Sequence, residues 1–208
     1  MKVLLIGYGR VNKEFYKKYK SSIVGIVSKN EIIRDKPDIV IDFSNPLLLE
    51  KSLSYAKEYN VPLLIGTTGY KEEDFNKIKE ASKIIPILYS SNFSFLMNYL
   101  FKFFSCNNFS SYDKEITEIH HKKKLDKISG TALNLAKILD VYKVKSKRVE
   151  DLNGIHEVKI SNSMESLIIT HEAKSLEVYV TNAYLCGVWL LGKKSGYFKV
   201  EDYLDENL

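Results

Sequence analysis

Two periods alternate through the first ninety residues, and no other feature limits the fold as much. Val3–Ile6, Ile23–Val27, Asp38–Asp42, Leu63–Ile65 and Ile84–Tyr89 are short, largely apolar and β-branched, the pattern of strands buried on both faces. Between them the spacing turns helical. Val11, Phe15 and Tyr19 recur at four-residue steps, as do Leu49 and Leu53, and Phe75 and Ile78 are three apart. Asn45-Pro46 is a good helix start, because Asn caps and Pro suits the first helical position. Glu72, Glu73 and Asp74 sit where a helix dipole favours acids. Strand–helix alternation of this kind predicts a Rossmann-like α/β domain, a parallel sheet with helices on both sides.

After Tyr89 the pattern changes. Phe95–Phe104 reads as an apolar helix, Tyr112–His121 as extended, and Ser129–Val141 as helix with Leu135, Ala136 and Leu139 on one face. Glu157–Ser161, Glu165–Thr170 and Glu177–Thr181 then read as strands without crossovers. They predict an open mixed sheet in a second, α+β domain. Ala183–Leu191 is helical in spacing and is expected to pack back on the first domain.

The 31 basic residues are scattered among 26 acidic ones, so the net charge of +5 argues for an anionic small ligand and against nucleic acid. Cys106 and Cys186 show no CxxC pattern and no metal spacing, which suits free thiols in a reducing, cytoplasmic setting. No apolar stretch approaches the length of a membrane span.

Gly7-Tyr8-Gly9 follows the first strand and opens the first helix, where a dinucleotide pyrophosphate rests on backbone N–H groups. Asn12 occupies the place of the third glycine of the fingerprint, after Arg10 and Val11, and the same glycines would also serve an ordinary turn. At the end of the second strand stand Ser28 and Lys29 rather than an acid. A hydroxyl and a cation suit a 2′-phosphate, which leans toward NADPH with NADH left open. Gly66-Thr67-Thr68 and Ser90-Ser91-Asn92-Phe93 follow two further strands, at the ends where such a sheet meets its ligand.

Residues 118–132 carry the chemistry. His120 and His121 are adjacent, Lys124 follows, and Ser129 is a natural N-cap ahead of Gly130 and Thr131. A helix start beside a lysine can seat a carboxylate, and a histidine can supply a proton near neutral pH. Lys122–Lys124 taken alone is an ordinary solvated charge run. No metal is expected: adjacent histidines on a strand face opposite ways, and no acid or Cys completes a familiar ligand spacing.

The run Glu118-Ile119-His120-His121-Lys122-Lys123-Lys124-Leu125-Asp126-Lys127-Ile128-Ser129-Gly130-Thr131-Ala132 resembles the E-x-H-H-x-x-K-x-D-x-x-S-G-T-A motif of the dihydrodipicolinate (4-hydroxy-tetrahydrodipicolinate) reductase family. Asp42-Phe43-Ser44, Gly66-Thr67-Thr68-Gly69, Ser91-Asn92-Phe93-Ser94, Ile169-Thr170-His171 and Trp189-Leu190-Leu191-Gly192-Lys193 agree in the same order. The resemblance implies NAD(P)H-dependent reduction of 4-hydroxy-tetrahydrodipicolinate to tetrahydrodipicolinate, on the path to diaminopimelate and lysine. It implies His120 as proton donor and Lys124 as second acid or orienting cation. His121, Ser129, Gly130 and Thr131 would hold the dicarboxylate. Gly7, Arg10, Gly66, Thr67, Thr68, Ser90, Ser91, Asn92 and Phe93 fall on cofactor positions. It further implies a homotetramer joined through the open sheet. Lys127-Ile128 replaces the usual Ala-Pro, and Leu176 stands where many members have an Arg. The expected division is a cofactor domain of residues 1–92 and 182–208 and a substrate and oligomerisation domain of residues 93–181. A different dehydrogenase on the same nucleotide fold and a nucleotide-sensing protein are the alternatives.

Overall fold

A computed structural model describes residues 1–122, 127–150 and 152–207. The chain forms two compact units, Met1–Phe93 with Glu177–Leu208, and Ser94–Leu176. Among the described residues no helix is long and apolar enough to cross a membrane.

The first unit is built on β1 (Val3–Ile6), α1 (Arg10–Tyr19), β2 (Ile23–Val27), β3 (Glu31–Ile33), β4 (Ile39–Asp42), α2 (Leu49–Tyr59), β5 (Leu63–Ile65), α3 (Glu72–Ser82) and β6 (Pro86–Tyr89). Its sheet runs β3-β2-β1-β4-β5-β6, and a later strand adds at the far edge. Every residue of β1, β4 and β5 is buried, as strands covered on both faces require. The link from β2 to β4 is a tight antiparallel hairpin through β3, an edge strand that the sequence reading passed over. Its Glu31 is charged and exposed, so β3 shows no buried alternation to detect.

The second unit contains α4 (Phe95–Cys106), β7 (Asp113–His121), α5 (Gly130–Leu139), β8 (Val144–Val149), β9 (Ile155–Ser161) and β10 (Ser166–Glu172). Its sheet runs β10-β9-β7-β8, antiparallel except for the β7–β8 pair, which is joined through α5. Met97, Phe101 and Phe104 of α4 and Leu135 and Leu139 of α5 pack on Ile116, Val158 and Ile160 from one sheet face.

One expectation fails. Glu177–Thr181 is not a strand but the first part of α6 (Glu177–Leu190). Val178, Tyr179, Val180 and Thr181 favour a strand locally, yet the buried set Val180, Ala183, Cys186, Gly187 and Leu190 follows a helical period. Packing of that face, including contact with α1, overrides propensity. The second crossing between units therefore falls at residue 177 rather than 182. The third strand of the expected open mixed sheet is supplied by β7, and β8 joins it. The chain closes with β11 (Gly196–Phe198), parallel to β6, and α7 (Val200–Asn207).

Candidate active site

In the first unit the turn after β1 is shaped by Gly7 at φ +84°, where an added Cβ would lie 2.6 Å from the Ser44 Cβ. Asn12 is wholly buried. Its amide donates to the carbonyls of Ile6 (2.7 Å) and Gly7 (3.0 Å). The residue that replaces the third glycine thus braces the turn from within. Gly9 caps α1 without any side-chain bond, and nothing lies within 4 Å of where its Cβ would be. An uncapped helix start beside open space can receive a phosphate. Tyr8, Gly9 and Arg10 are exposed and Val11 is half-buried at this opening.

Ser28 and Lys29 are exposed at the β2–β3 hairpin. Ser28 lines a cavity of about 330 Å³ with Tyr8, Tyr16, Asn30, Ile32 and Arg34. Arg34 was missed in the sequence because it lies beyond the hairpin, seven residues from the end of β2. Gly66, Thr68 and Ser91 are half-buried, whereas Thr67, Ser90, Asn92 and Phe93 are buried. Thr67 Oγ1 donates to Asp42 Oδ1 at 2.7 Å and accepts from the Ser44 N–H at 2.8 Å. Ser90 Oγ donates to the Asn92 carbonyl (2.7 Å) and accepts from the Asn92 N–H (3.1 Å). The Phe93 carbonyl accepts from Asn182 Nδ2 at 2.8 Å. These side chains stiffen the strand-end turns, leaving Gly66, Thr68 and Ser91 as the partly open positions.

In the second unit, Ile116, Glu118 and His120 are buried on one face of β7, and Thr117, Ile119 and His121 are half-buried on the other. The two adjacent histidines therefore do not act on one point. His120 instead meets groups from other elements. Its Nδ1 lies 3.5 Å from Glu118 Oε2. The ring of His156, from β9, packs edge-on with centroids 5.1 Å apart. Gly154, at φ +150°, forms a wall on which a Cβ would sit 2.9 Å from His120 Nε2.

Ser129 ties this cluster to the start of α5. Its N–H donates to Glu118 Oε2 (3.0 Å), its Oγ accepts from the Ala132 N–H (3.1 Å), and the same Oγ lies 3.1 Å from His156 Nε2. Gly130 and Thr131 are the first two helical residues, whose N–H groups precede the intrahelical ladder. Glu118 Oε1 accepts from Ser146 Oγ at 2.8 Å and from both terminal nitrogens of Arg148 at 3.3 Å. Burial pushes the Glu118 carboxyl up, but the bonds from Ser129 and Ser146 and the nearby His120 outweigh it and hold it below the usual carboxylate range. The Lys127 carbonyl accepts from Arg148 Nη2 (2.8 Å) and Ser146 Oγ (3.1 Å), which anchors the Lys127-Ile128 segment without the proline. Lys122 pairs with Glu150 on the surface. Lys124 lies outside the described residues, as do Lys123, Leu125 and Asp126.

Glu118, His120 and His156 offer three ligand-type atoms within 4.8 Å of one another. Their spacing along the chain hid this, because Glu118 and His156 are partners across the β7–β9 ladder. Both Glu118 oxygens already accept bonds, one from an arginine, so the group reads as a hydrogen-bonded cluster rather than a metal centre. The signal that would have found His156 is the alternation of β9, which buries His156, Val158 and Ile160 on one face.

A family model described as "Dihydrodipicolinate reductase, N-terminus" matches residues 11–93, and "Dihydrodipicolinate reductase, C-terminus" matches residues 95–204. The 4-hydroxy-tetrahydrodipicolinate reductase of Thermosipho africanus is 38% identical over 185 residues, 87% of this chain and 85% of that protein. The reductase of the same name from Staphylococcus saprophyticus is 30% identical over 97% of this chain and its full length. Among solved structures, a dipicolinate-bound dihydrodipicolinate reductase from Paenisporosarcina shares the fold with a TM-score of 0.72 at 17% identity, covering 96% of this chain and 97% of that one.

Proposed function

The chain belongs to the dihydrodipicolinate reductase family, an NAD(P)H-dependent oxidoreductase family, and we propose that it reduces 4-hydroxy-tetrahydrodipicolinate to tetrahydrodipicolinate in diaminopimelate and lysine biosynthesis. The observation that carries the reading is the buried His120 held beside Glu118, next to the helix start at Ser129-Gly130-Thr131. When bound, the nicotinamide supplies a hydride. The substrate takes up that hydride and one proton and loses its hydroxyl as water. His120 gives the proton, and Lys124 acts as the second acid or orienting cation. Gly130 and Thr131 present backbone N–H groups to a carboxylate, with Ser129 capping their helix, whereas His121, on the opposite face of β7, is not part of that seat.

Gly7, Tyr8, Gly9, Arg10 and Val11 receive the pyrophosphate at the uncapped start of α1, braced by Asn12. The turns at Gly66-Thr67-Thr68 and Ser90-Ser91-Asn92-Phe93 meet the rest of the cofactor. NADPH is the preferred form: Ser28, Lys29 and Arg34 surround the hairpin, and the acid of that hairpin, Glu31, is bound by Lys51 and Tyr55. The protein works in the cytoplasm, which suits free Cys106 and Cys186. It assembles as a homotetramer through the open sheet of the second unit, where Leu167 and Ile168 of β10 are exposed.

Cofactor oxidation followed with freshly made substrate tests the reading. Turnover is expected in wild type, and His120→Asn is expected to lower kcat about 100-fold or more at nearly unchanged cofactor affinity. A folded, cofactor-binding wild type without turnover would overturn the assignment. Titration with both cofactors should show NADPH bound several-fold more tightly, and Lys29→Ala should narrow that gap. Equal binding of the two by wild type refutes the preference.

A further inference from the structure

Glu118, Ser129, His156 and His120 form a closed buried ring. One carboxylate oxygen, Glu118 Oε2, faces both His120 Nδ1 (3.5 Å) and the Ser129 N–H (3.0 Å). Ser129 Oγ returns to His156 Nε2 (3.1 Å), and the His156 ring closes against His120. All four residues are buried. We infer that Glu118 and His156 are positioning residues for His120, fixing its tautomer and ring plane and coupling the proton donor to the start of α5. This inference rests on His120 being the proton donor of the proposed reaction.

The physical case has two parts. A carboxylate 3.5 Å from Nδ1, too far for a hydrogen bond, acts through its charge and favours the proton on that nitrogen, so Nε2 becomes the atom that takes up and releases the second proton. The negative charge also stabilises the protonated ring, and the low pKa of Glu118 keeps that charge present through neutral pH. The ring plane is then set by packing: Gly154 bounds the Nε2 side and His156 stands at 72° against the imidazole. Because Glu118 Oε2 also holds the Ser129 N–H, a shift of the carboxylate moves the proton donor and the helix start together. Among the described residues, the charged and titratable groups assembled here are Glu118 on β7, His156 on β9, and Arg148 on β8 acting through Glu118.

The test uses Glu118→Gln, His156→Leu and His156→Gln in the full chain, each alone and with His120→Asn. Glu118→Gln removes the charge at constant shape, so the limb on which kcat/KM falls as His120 loses its proton should move to lower pH. His156→Leu should lower kcat about tenfold or more with little change in cofactor affinity, and His156→Gln, which can still reach Ser129, should recover most of the loss. Neither change should lower activity further when His120 is already Asn, because the residue they position is gone. Where Glu118→Gln or His156→Leu fails to fold, the imidazole nitrogen resonances of His120 in His156→Gln decide. They should keep the proton on Nδ1 as in wild type, and a proton moved to Nε2 would overturn the inference. An unmoved pH limb, a wild-type kcat in His156→Leu, or losses that persist undiminished in the His120→Asn background would also overturn it. Full turnover by His120→Asn alone would instead remove the proton-donor reading beneath it.

Discussion

Replacing Asp42 with alanine is expected to destabilise the first unit by about 3 kcal/mol, read from denaturant unfolding. Asp42 ends β4 in the middle of the sheet and is fully buried. It accepts from the Ser44 N–H (3.0 Å), Ser44 Oγ (2.5 Å), Ser52 Oγ (2.6 Å) and Thr67 Oγ1 (2.7 Å). One side chain therefore ties the loop after β4, helix α2 and the turn after β5. Alanine leaves several buried donors without their acceptor. Asparagine keeps the shape and one carbonyl, so Asp42→Asn should cost less than half as much.

The pH dependence of that comparison has a definite sign. Burial pushes the Asp42 carboxyl up, and the bonds from Ser44, Ser52 and Thr67 offset this only in part. An acid whose folded pKa lies above its ordinary 3.8 binds its proton more tightly in the native state. Its contribution thus favours folding increasingly as pH falls from above the raised value toward 3.8. The stability of wild type relative to Asp42→Asn should rise over that interval. A loss below 1 kcal/mol in Asp42→Ala would show that the turns stand without this carboxylate, whereas a relative stability that drops on acidification would show that its hydrogen bonds outweigh burial and hold its folded pKa down.

Gly154→Ala should be the most damaging small substitution in the second unit. Its φ of +150° strains any L side chain, and the new methyl would approach His120 Nε2 to 2.9 Å and Cδ2 to 3.2 Å. The backbone has little freedom to retreat, because the Gly154 carbonyl accepts from the Ala173 N–H at 2.9 Å. The imidazole must therefore move. A displacement of that size at a proton donor should lower kcat about 100-fold, with a stability loss of about 2 kcal/mol. Cofactor affinity should stay within twofold, since the residue lies in the other unit. Turnover within threefold of wild type would show that His120 Nε2 does not work at the face that Gly154 bounds.

Much of the fold was legible because its determinants are local and repeated. The runs Val3–Ile6 and Leu63–Ile65 coincide with β1 and β5, since a strand buried on both faces must be apolar throughout, and Ile23–Val27 coincides with β2, whose apolar run persists although Val24 and Ile26 are only half-buried. Ser129 was readable as a cap because a cap acts within three residues of itself. Glu177–Thr181 was misread because its β-branched and aromatic residues carry a local preference that only the neighbouring α1 could overrule. β8 escaped notice because its Lys145, Ser146 and Lys147 are exposed and give no hydrophobic period.

The run from Glu118 to Ala132 shows the same division within the candidate site. By itself the sequence determined the ordered residue types there, the helix start at Ser129 and the resemblance that gives them chemical meaning. Alternation along β7 was equally implicit, and it places His120 and His121 on opposite faces. Only the tertiary structure decided what His120 meets. Glu118 stands opposite His156 through strand register, Gly154 arrives from a segment far along the chain, and Ser129, although in the same run, is brought back to Glu118 and His156 by the docking of α5. Register between strands and the docking of a helix start are settled by burying apolar faces over the whole unit. No spacing within a single run encodes that outcome.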